Sequence, residues 1–456
     1  MFLNLNKVEH IHFIGIGGIS MSALAENFLR KNIKVTGSDG SKNEITEKLE
    51  SLGAKIHYPQ TNFIEDTPDI VCYTDAISED NIELIEAKKR NLNLIDRASL
   101  LGLLMKNYND SIAISGTHGK TTTTSMLATI FKYSNLDPTI MIGGNLDIIG
   151  GNIYFGKDDI LLTEACEYKG NILKYHPSCA VVLNIDEDHL DFFKSLAHIE
   201  NTFIDYIKSL DETSCVIINA DEANLENIKR NIPGKCITFG IYQDADFRAT
   251  NIKYLEDGKI IYTLNHNNKE YKVKLPIMGL HNVINSLAAI STAVYHGIDI
   301  DSAIAGIEHY TPVHRRLEFK GEKNGVTIID DYAHHPTEIM ATLSALRNSV
   351  KGRLICVFQP HTFTRTKILL NSFAEAFKSA DEVVILDIYA SREKDLKEVH
   401  ARDLVEKISQ IGNKCFYYPD FESALNFLER LTKKDDLVVT MGAGNIYQLV
   451  EMFLKK

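Results

Sequence analysis

Between Ser111 and Ser125 the chain reads SIAISGTHGKTTTTS. A short apolar strand breaks at Gly116, and a helix restarts at Lys120 with a run of threonines behind it. That arrangement holds phosphates: the glycines let backbone N–H groups turn inward, and the helix N-terminus adds the positive end of its dipole. Lys120 supplies a point charge, and the hydroxyl of Thr121 or Thr122 suits a magnesium ion. The spacing is tighter than G-x-x-x-x-G-K-[ST], because Ile114 stands where that pattern needs a glycine. The candidate phosphate loop is therefore Gly116, Thr117, His118, Gly119, Lys120, Thr121 and Thr122. A plain turn has little use for this composition.

A second glycine turn, GIGGIS, places Gly15, Gly17, Gly18 and Ser20 between an apolar strand and a helix, with Asp39 about 20 residues on. The spacing is that of a dinucleotide fingerprint whose third glycine is Ser20, so it reads as a pyrophosphate site that need not be for NAD. A tight turn without a ligand is the alternative. Glu164 ends the strand-like DILLTEA, and Asp186 to Phe193, with His189, follow CAVVLNI. Groups at the C-terminal ends of parallel strands lie where α/β sheets bind ligands. Glu164 and His189 are then possible ligands for a cation beside the phosphate loop, against the plainer reading of DEDHLD as a solvated turn. Further on, VHRRLEF and QPHTFTRTK carry Arg315, Arg316, His361 and Arg365, and DDYAHHP carries Asp331 and His334. Arginine forks match carboxylates and phosphates. Surface salt bridging is the alternative for each of them.

The elements that must position these groups are α/β units. A length of 456 residues exceeds one core and suggests three domains, set here at 1–108, 109–312 and 313–456. In the first, HIHFIGIGG, a helix from ISMSALA and IKVTGSD alternate as in a parallel sheet. The second opens on the phosphate loop; residues 247 to 276 read as antiparallel strands, and GLHNVINSLAAISTAVYHG as a helix ending at glycine. The third alternates VTIIDDYAHHP, RLICVFQP, EVVILDI and DLVVTMGAGNI with helices. The class is α/β, with Rossmann-like outer domains and a P-loop-type mononucleotide-binding centre. No apolar run nears the ~20 residues of a membrane span, and no secretory signal is evident. Seven cysteines, scattered and without C-x-x-C, suit a reducing cytoplasm. A net charge of −12 argues against nucleic acid as a partner.

GTHGKTT, HNVIN, RRLE, DDYAHHP, QPHTFTR and MGAGNI occur in the order found in the Mur ligases, the ATP-dependent amide-forming enzymes that build the peptide of the bacterial cell wall. Over essentially its whole length the chain resembles that family. GIGGISMSALA with GSD, and His118 rather than an asparagine in the loop, are similar to the member that adds L-alanine to UDP-N-acetylmuramate. A member that attaches a tripeptide to the same sugar nucleotide shares GTHGKTT and a closely similar DD-aromatic-A-HHP stretch. The resemblance implies ATP and Mg2+ as cofactors, an acyl-phosphate intermediate, no membrane partner, and a monomer or homodimer. It puts Gly15, Gly17, Gly18 and Ser20 at the sugar-nucleotide pyrophosphate, with Asp39 near the nucleotide. Residues 116 to 122 would hold ATP, with magnesium near Thr121, Glu164 and His189, and with His281, Asn282 and Asn285 facing the adenine. Arg316, Asp331, His334, His361 and Arg365 would come from the third domain to the γ-phosphate and the amino acid, His361 and Arg365 holding the latter. Lys120, His189, Arg316, His334 and Arg365 are the expected catalytic set. Family members often read E-A-D-E-S-D after the glutamate; here Cys166 takes an aspartate position between Glu164 and Glu167, which removes an oxygen donor for a second cation. Two rivals use only part of these motifs. An NAD-dependent oxidoreductase leaves the Lys120 loop unexplained, and a P-loop regulator would ignore UDP-sugars.

Overall fold

The computed structural model describes residues 5–455 apart from positions 63, 191 and 392, so Asp191 of the acidic run lies outside the described residues. Three sheets succeed one another along the chain. The first is parallel throughout, in the order Lys55–His57, Lys34–Ser38, His10–Ile14, Ile70–Tyr73, Leu94–Asp96. All five residues of His10–Ile14 are buried, as expected for a central parallel strand covered on both faces. From this strand the chain builds outward to one side, then crosses to the other. The crevice at that reversal receives the GIGGIS turn, the position such sheets use for ligands.

The second sheet has ten strands, and Asp110–Ser115 lies inside it between Cys179–Val182 and Ile160–Ala165. Phe247–Tyr254, Ile260–His266 and Lys269–Leu275 form the antiparallel edge that the alternating sequence predicts. At the other edge Thr139–Leu146 and Gly151–Tyr154 form a hairpin that the glycine-rich IGGNLDIIGG hid from a periodicity reading. The third sheet runs Glu318–Lys323, Val326–Asp331, Leu437–Met441, Leu354–Phe358, Glu382–Ile385, Lys414–Tyr417, antiparallel only at its first pair. The stretch ILLNSFAEAF is not one helix with a clean start: Phe363–Ile368 and Leu370–Ala376 meet at Leu369. Among the described residues no helix is long and apolar enough to cross a membrane.

The helix behind the phosphate loop, Lys120–Lys132, is fixed by its buried face. Met126, Leu127, Ile130 and Phe131 are fully buried, each contributing on the order of 1.5–3 kcal/mol. Against it pack Leu280–Tyr295, rich in small residues (Ala288, Ala289, Ala293), and Ile300–Glu308. Ser125 Oγ and Tyr310 Oη add a buried hydrogen bond at 2.8 Å. The approach is close: a Cβ on Gly306 would lie 2.7 Å from Ile130 Cα. Gly306→Ala is therefore expected to destabilise the protein by about 1–3 kcal/mol, read as a lower midpoint in urea unfolding. A midpoint equal to that of the parent chain would refute the tight helix contact.

Candidate active site

The phosphate loop is shaped by its neighbours before any ligand is considered. Gly116 and Gly119 take φ of +135° and +84°, which L side chains rarely adopt. A Cβ on Gly119 would also stand 2.5 Å from Asn285 Oδ1. The loop is tied to the strand end at 184–186: Thr117 N donates to Asn184 O (3.0 Å), His118 N to Asn184 Oδ1 (2.8 Å), and Asp186 N to Thr117 Oγ1 (2.9 Å). Lys120 Nζ donates to Thr117 O (2.9 Å) and the Gly116 carbonyl, and pairs with Glu167 at 3.1 Å. Burial works against its charge, yet the Glu167 carboxylate, itself 2% exposed, raises its pKa overall.

Beside it, Thr121 Oγ1 donates to Glu164 Oε2 (3.1 Å), and Glu164 Oε1 accepts from Gly143 N (2.6 Å). A hydroxyl and a carboxylate side by side are hard oxygen donors of the kind magnesium takes, so these two expected ligands fit. His189 Nε2 lies 3.9 Å from Glu167, the partner of Lys120, and 3.8 Å from Asp188, its ring centre 4.6 Å from that of Tyr168. Burial pushes the Cys166 thiol up to about 11, leaving a neutral group at that position.

The third unit meets the loop through the start of helix Pro336–Arg347, capped by His335. Thr337 Oγ1 donates to Asp186 Oδ2 (2.8 Å), Glu338 lies 3.4 Å from His118 Nδ1, and Arg365 lies 3.5 Å from Asp188. Burial alone would lower the pKa of His118, but hydrogen bonds that its ring donates to the Asp186 and Glu338 carboxylates raise it to about 9. His118, Asp186 and His335 bring ligand atoms within 4.8 Å of one another, and His118 Nε2 lies 3.2 Å from Asp186 Oδ2. Burial drops His334 and His281 to about 4, so both are neutral at physiological pH, and lifts Asp331 to about 6. Non-glycine residues with positive φ gather here, at His189, Arg315, Leu317 and Thr362, conformations that cost on the order of 1–3 kcal/mol each.

Three cavities surround this junction. One of about 420 Å³ between the central and third units reaches His118, Asn282, Asn285, Arg316 and Asp331, with His281 beside them. A second, about 290 Å³, gathers Asp188, His189, His334, His361 and Arg365. A third, about 400 Å³, lies between the first and central units and runs from Gly18 and Ser20 to Glu164. Asp39 braces the first turn, accepting from Gly17 N and Gly40 N at 2.7 Å each. Gly15, at φ +80°, opens that turn. Arg315 is spent within the third unit, on Asp330 (3.0 Å) and the carbonyls of Gly442 and Gly444. Sequence reasoning missed Asn184, Glu338 and Glu222; Glu338 had a signal, two residues past the proline that starts a helix, where an acid suits the dipole. Burial raises Glu222 to about 7 on the wall of the 420 Å³ cavity.

These features define a three-domain α/β nucleotide-binding protein whose phosphate loop faces the crevices between domains. Profiles of the Mur ligase family catalytic domain, the Mur ligase middle domain and the Mur ligase glutamate ligase domain match residues 10–109, 114–293 and 315–444. A UDP-N-acetylmuramate–L-alanine ligase of Acetivibrio thermocellus is 47% identical over 455 residues, 99% of this chain and 97% of that protein. The structure of UDP-N-acetylmuramate-alanine ligase from Thermotoga maritima is similar with a TM-score of 0.81 at 27% identity, covering 98% of both chains. That of a murein peptide ligase from Psychrobacter arcticus gives 0.75 at 25%, again over 98% of both. The chain belongs to the Mur ligase family.

The raised pKa of His118 has a pH signature. Its stabilisation of the folded state is complete below pH 6.5, the unfolded value, and is lost as pH rises through about 9. The contribution is at most about 3 kcal/mol. The stability difference between the parent chain and His118→Asn, measured by urea unfolding, should shrink across that window. A pH-independent difference would refute the ion pair.

Proposed function

We propose that the chain joins L-alanine to the lactyl carboxylate of UDP-N-acetylmuramate, converting ATP to ADP and phosphate, in the synthesis of the cell-wall peptide precursor. The observation that carries this reading is the hydrogen bond between Thr121 of the phosphate loop and Glu164, which lines the cavity leading back to Ser20. An acid bound in that cavity would have its carboxylate beside the terminal phosphate of a nucleotide on Lys120. The name and full-length similarity of the Acetivibrio relative support the same substrates.

In this reading residues 1–108 hold the sugar nucleotide, 109–312 hold ATP, and 313–456 bring the amino acid. The pyrophosphate of the sugar nucleotide lies on Gly15, Gly17, Gly18 and Ser20, in a turn stiffened by Asp39. ATP lies on residues 116 to 122, with His281, Asn282, Asn285 and Asp331 around the large cavity. Thr121, Glu164 and His189 would hold magnesium, which when bound offsets charge on the phosphates; His189 stands beside the Glu167 that pairs with Lys120. The muramyl carboxylate attacks the γ-phosphorus, the bond to ADP breaks, and an acyl phosphate forms. Lys120 and Arg316 offset charge on the transferring group, the main task in such reactions. The free amine of alanine, held near His334, His361 and Arg365, then attacks the acyl carbon, and phosphate leaves. Neutral His334 orients by hydrogen bonding and adds no charge. All three cavities come from one chain, so a monomer or a homodimer suffices.

Phosphate release with Mg–ATP should require both UDP-N-acetylmuramate and L-alanine; turnover with a tripeptide and none with alanine would favour the murein peptide ligase activity. Lys120→Ala should fold and lose about 10²–10³ in rate, and near-normal turnover would refute the assignment of the loop. With ¹⁸O in the lactyl carboxylate, one labelled oxygen should appear in inorganic phosphate. Unlabelled phosphate, or AMP among the products, would refute the acyl phosphate.

A further inference from the structure

The cavity between the first and central units contains a cation that none of the roles above employs. Among the described residues lining it, Arg97 is the one cation and Glu164 the one carboxylate. Glu164 is already bound by Thr121 and Gly143. The other carboxylates near Arg97 are engaged too. Asp96 caps the helix Arg97–Met105 through Ser99 N (3.0 Å) and pairs with Lys174 (2.8 Å), while Asp75 accepts from Asn171 Nδ2 (2.6 Å). Beside the guanidinium stand the Tyr175 phenol and the Cys166 thiol. An arginine cannot discharge itself. A half-buried guanidinium beside carboxylates that are already engaged favours an incoming anion.

The far end of the cavity attracts anions as well. Helix Ile19–Arg30 starts at Gly18 with no side-chain cap, so its first N–H groups stay available there. The space thus has two anion-attracting ends, and UDP-N-acetylmuramate has two kinds of acidic group, a pyrophosphate and a carboxylate. We propose that Arg97 pairs with the lactyl carboxylate of the sugar nucleotide, the helix start taking the pyrophosphate. Arg97 lines the same cavity as Glu164, whose carboxylate accepts from Thr121 next to Lys120. A guanidinium fork would fix the plane of the carboxylate and offset its repulsion from the polyphosphate it must approach. The inference rests on the substrate assignment above.

The test compares the parent chain with Arg97→Gln and Arg97→Lys by calorimetric binding of UDP-N-acetylmuramate and of UDP-N-acetylglucosamine, which keeps the pyrophosphate and lacks the lactyl carboxylate. Arg97→Gln should weaken UDP-N-acetylmuramate about 10- to 100-fold, consistent with a lost charged hydrogen bond, and raise its KM. Binding of UDP-N-acetylglucosamine and the KM for ATP should not change. Arg97→Lys should recover part of the loss, and it carries the test if the glutamine variant does not fold. Equal weakening of both sugar nucleotides would overturn the carboxylate pairing in favour of the pyrophosphate. No weakening of either would overturn any role for Arg97 in binding. If the parent chain itself fails to bind UDP-N-acetylmuramate, the substrate assignment fails instead.

Discussion

A lysine held as a cation in a partly buried loop governs the central part of this molecule. Lys120 Nζ is surrounded by two backbone carbonyls and the Glu167 carboxylate. Removing an ammonium from water is expensive, and only a close counter-charge with further hydrogen bonds offsets that cost. The loop supplies the carbonyls because its glycines turn the backbone inward, and Asn184 fixes that turn. The helix that Lys120 opens cannot move either, since Leu280–Tyr295 and Ile300–Glu308 pack against its buried side. A nucleotide phosphate arriving there would replace the carbonyl and carboxylate partners of a charge that is already in place. Preorganisation of this kind avoids reorganisation at the moment of reaction.

The contact between the central and third units is electrostatic at the same point. His118 stands between Asp186 of one unit and Glu338 of the other, Thr337 donates to Asp186, and Arg365 faces Asp188. Domain contacts made from a few charged groups around a crevice can open and reform at modest cost, unlike large apolar interfaces. The same residues line the cavities, so binding at the junction and closure of the junction use one set of side chains. Closure of such a junction keeps water from a reactive intermediate.

Burial divides the titratable groups by task. His334 and His281 are driven neutral, His118 stays charged, and Asp331 sits near 6 beside two backbone N–H donors from Leu317 and Ala333. Histidines around the junction thus behave as different chemical groups. At His118 two hydrogen-bonded carboxylates, Asp186 and Glu338, outweigh burial, whereas at His334, with Glu338 3.4 Å from Nδ1, and at His281 burial wins.

The sequence by itself determined the α/β class, the two glycine turns and the loop Gly116–Thr122, because backbone turns at glycine, a helix start and a lysine are set by local chemistry. It also delivered the antiparallel edge at residues 247 to 275, where side chains alternate with period two. The tertiary structure alone decided which charges meet. Glu167 lies beside Lys120 across 47 positions, Glu338 beside His118 from another domain, and Arg97 lines one cavity with Glu164. It likewise separated Arg315, spent on Asp330, from its neighbour Arg316, which faces the large cavity. Adjacent residues can point to opposite environments, and distant ones share a site, since the energy of a charge depends on burial and on partners through space. No spacing in the chain encodes those distances.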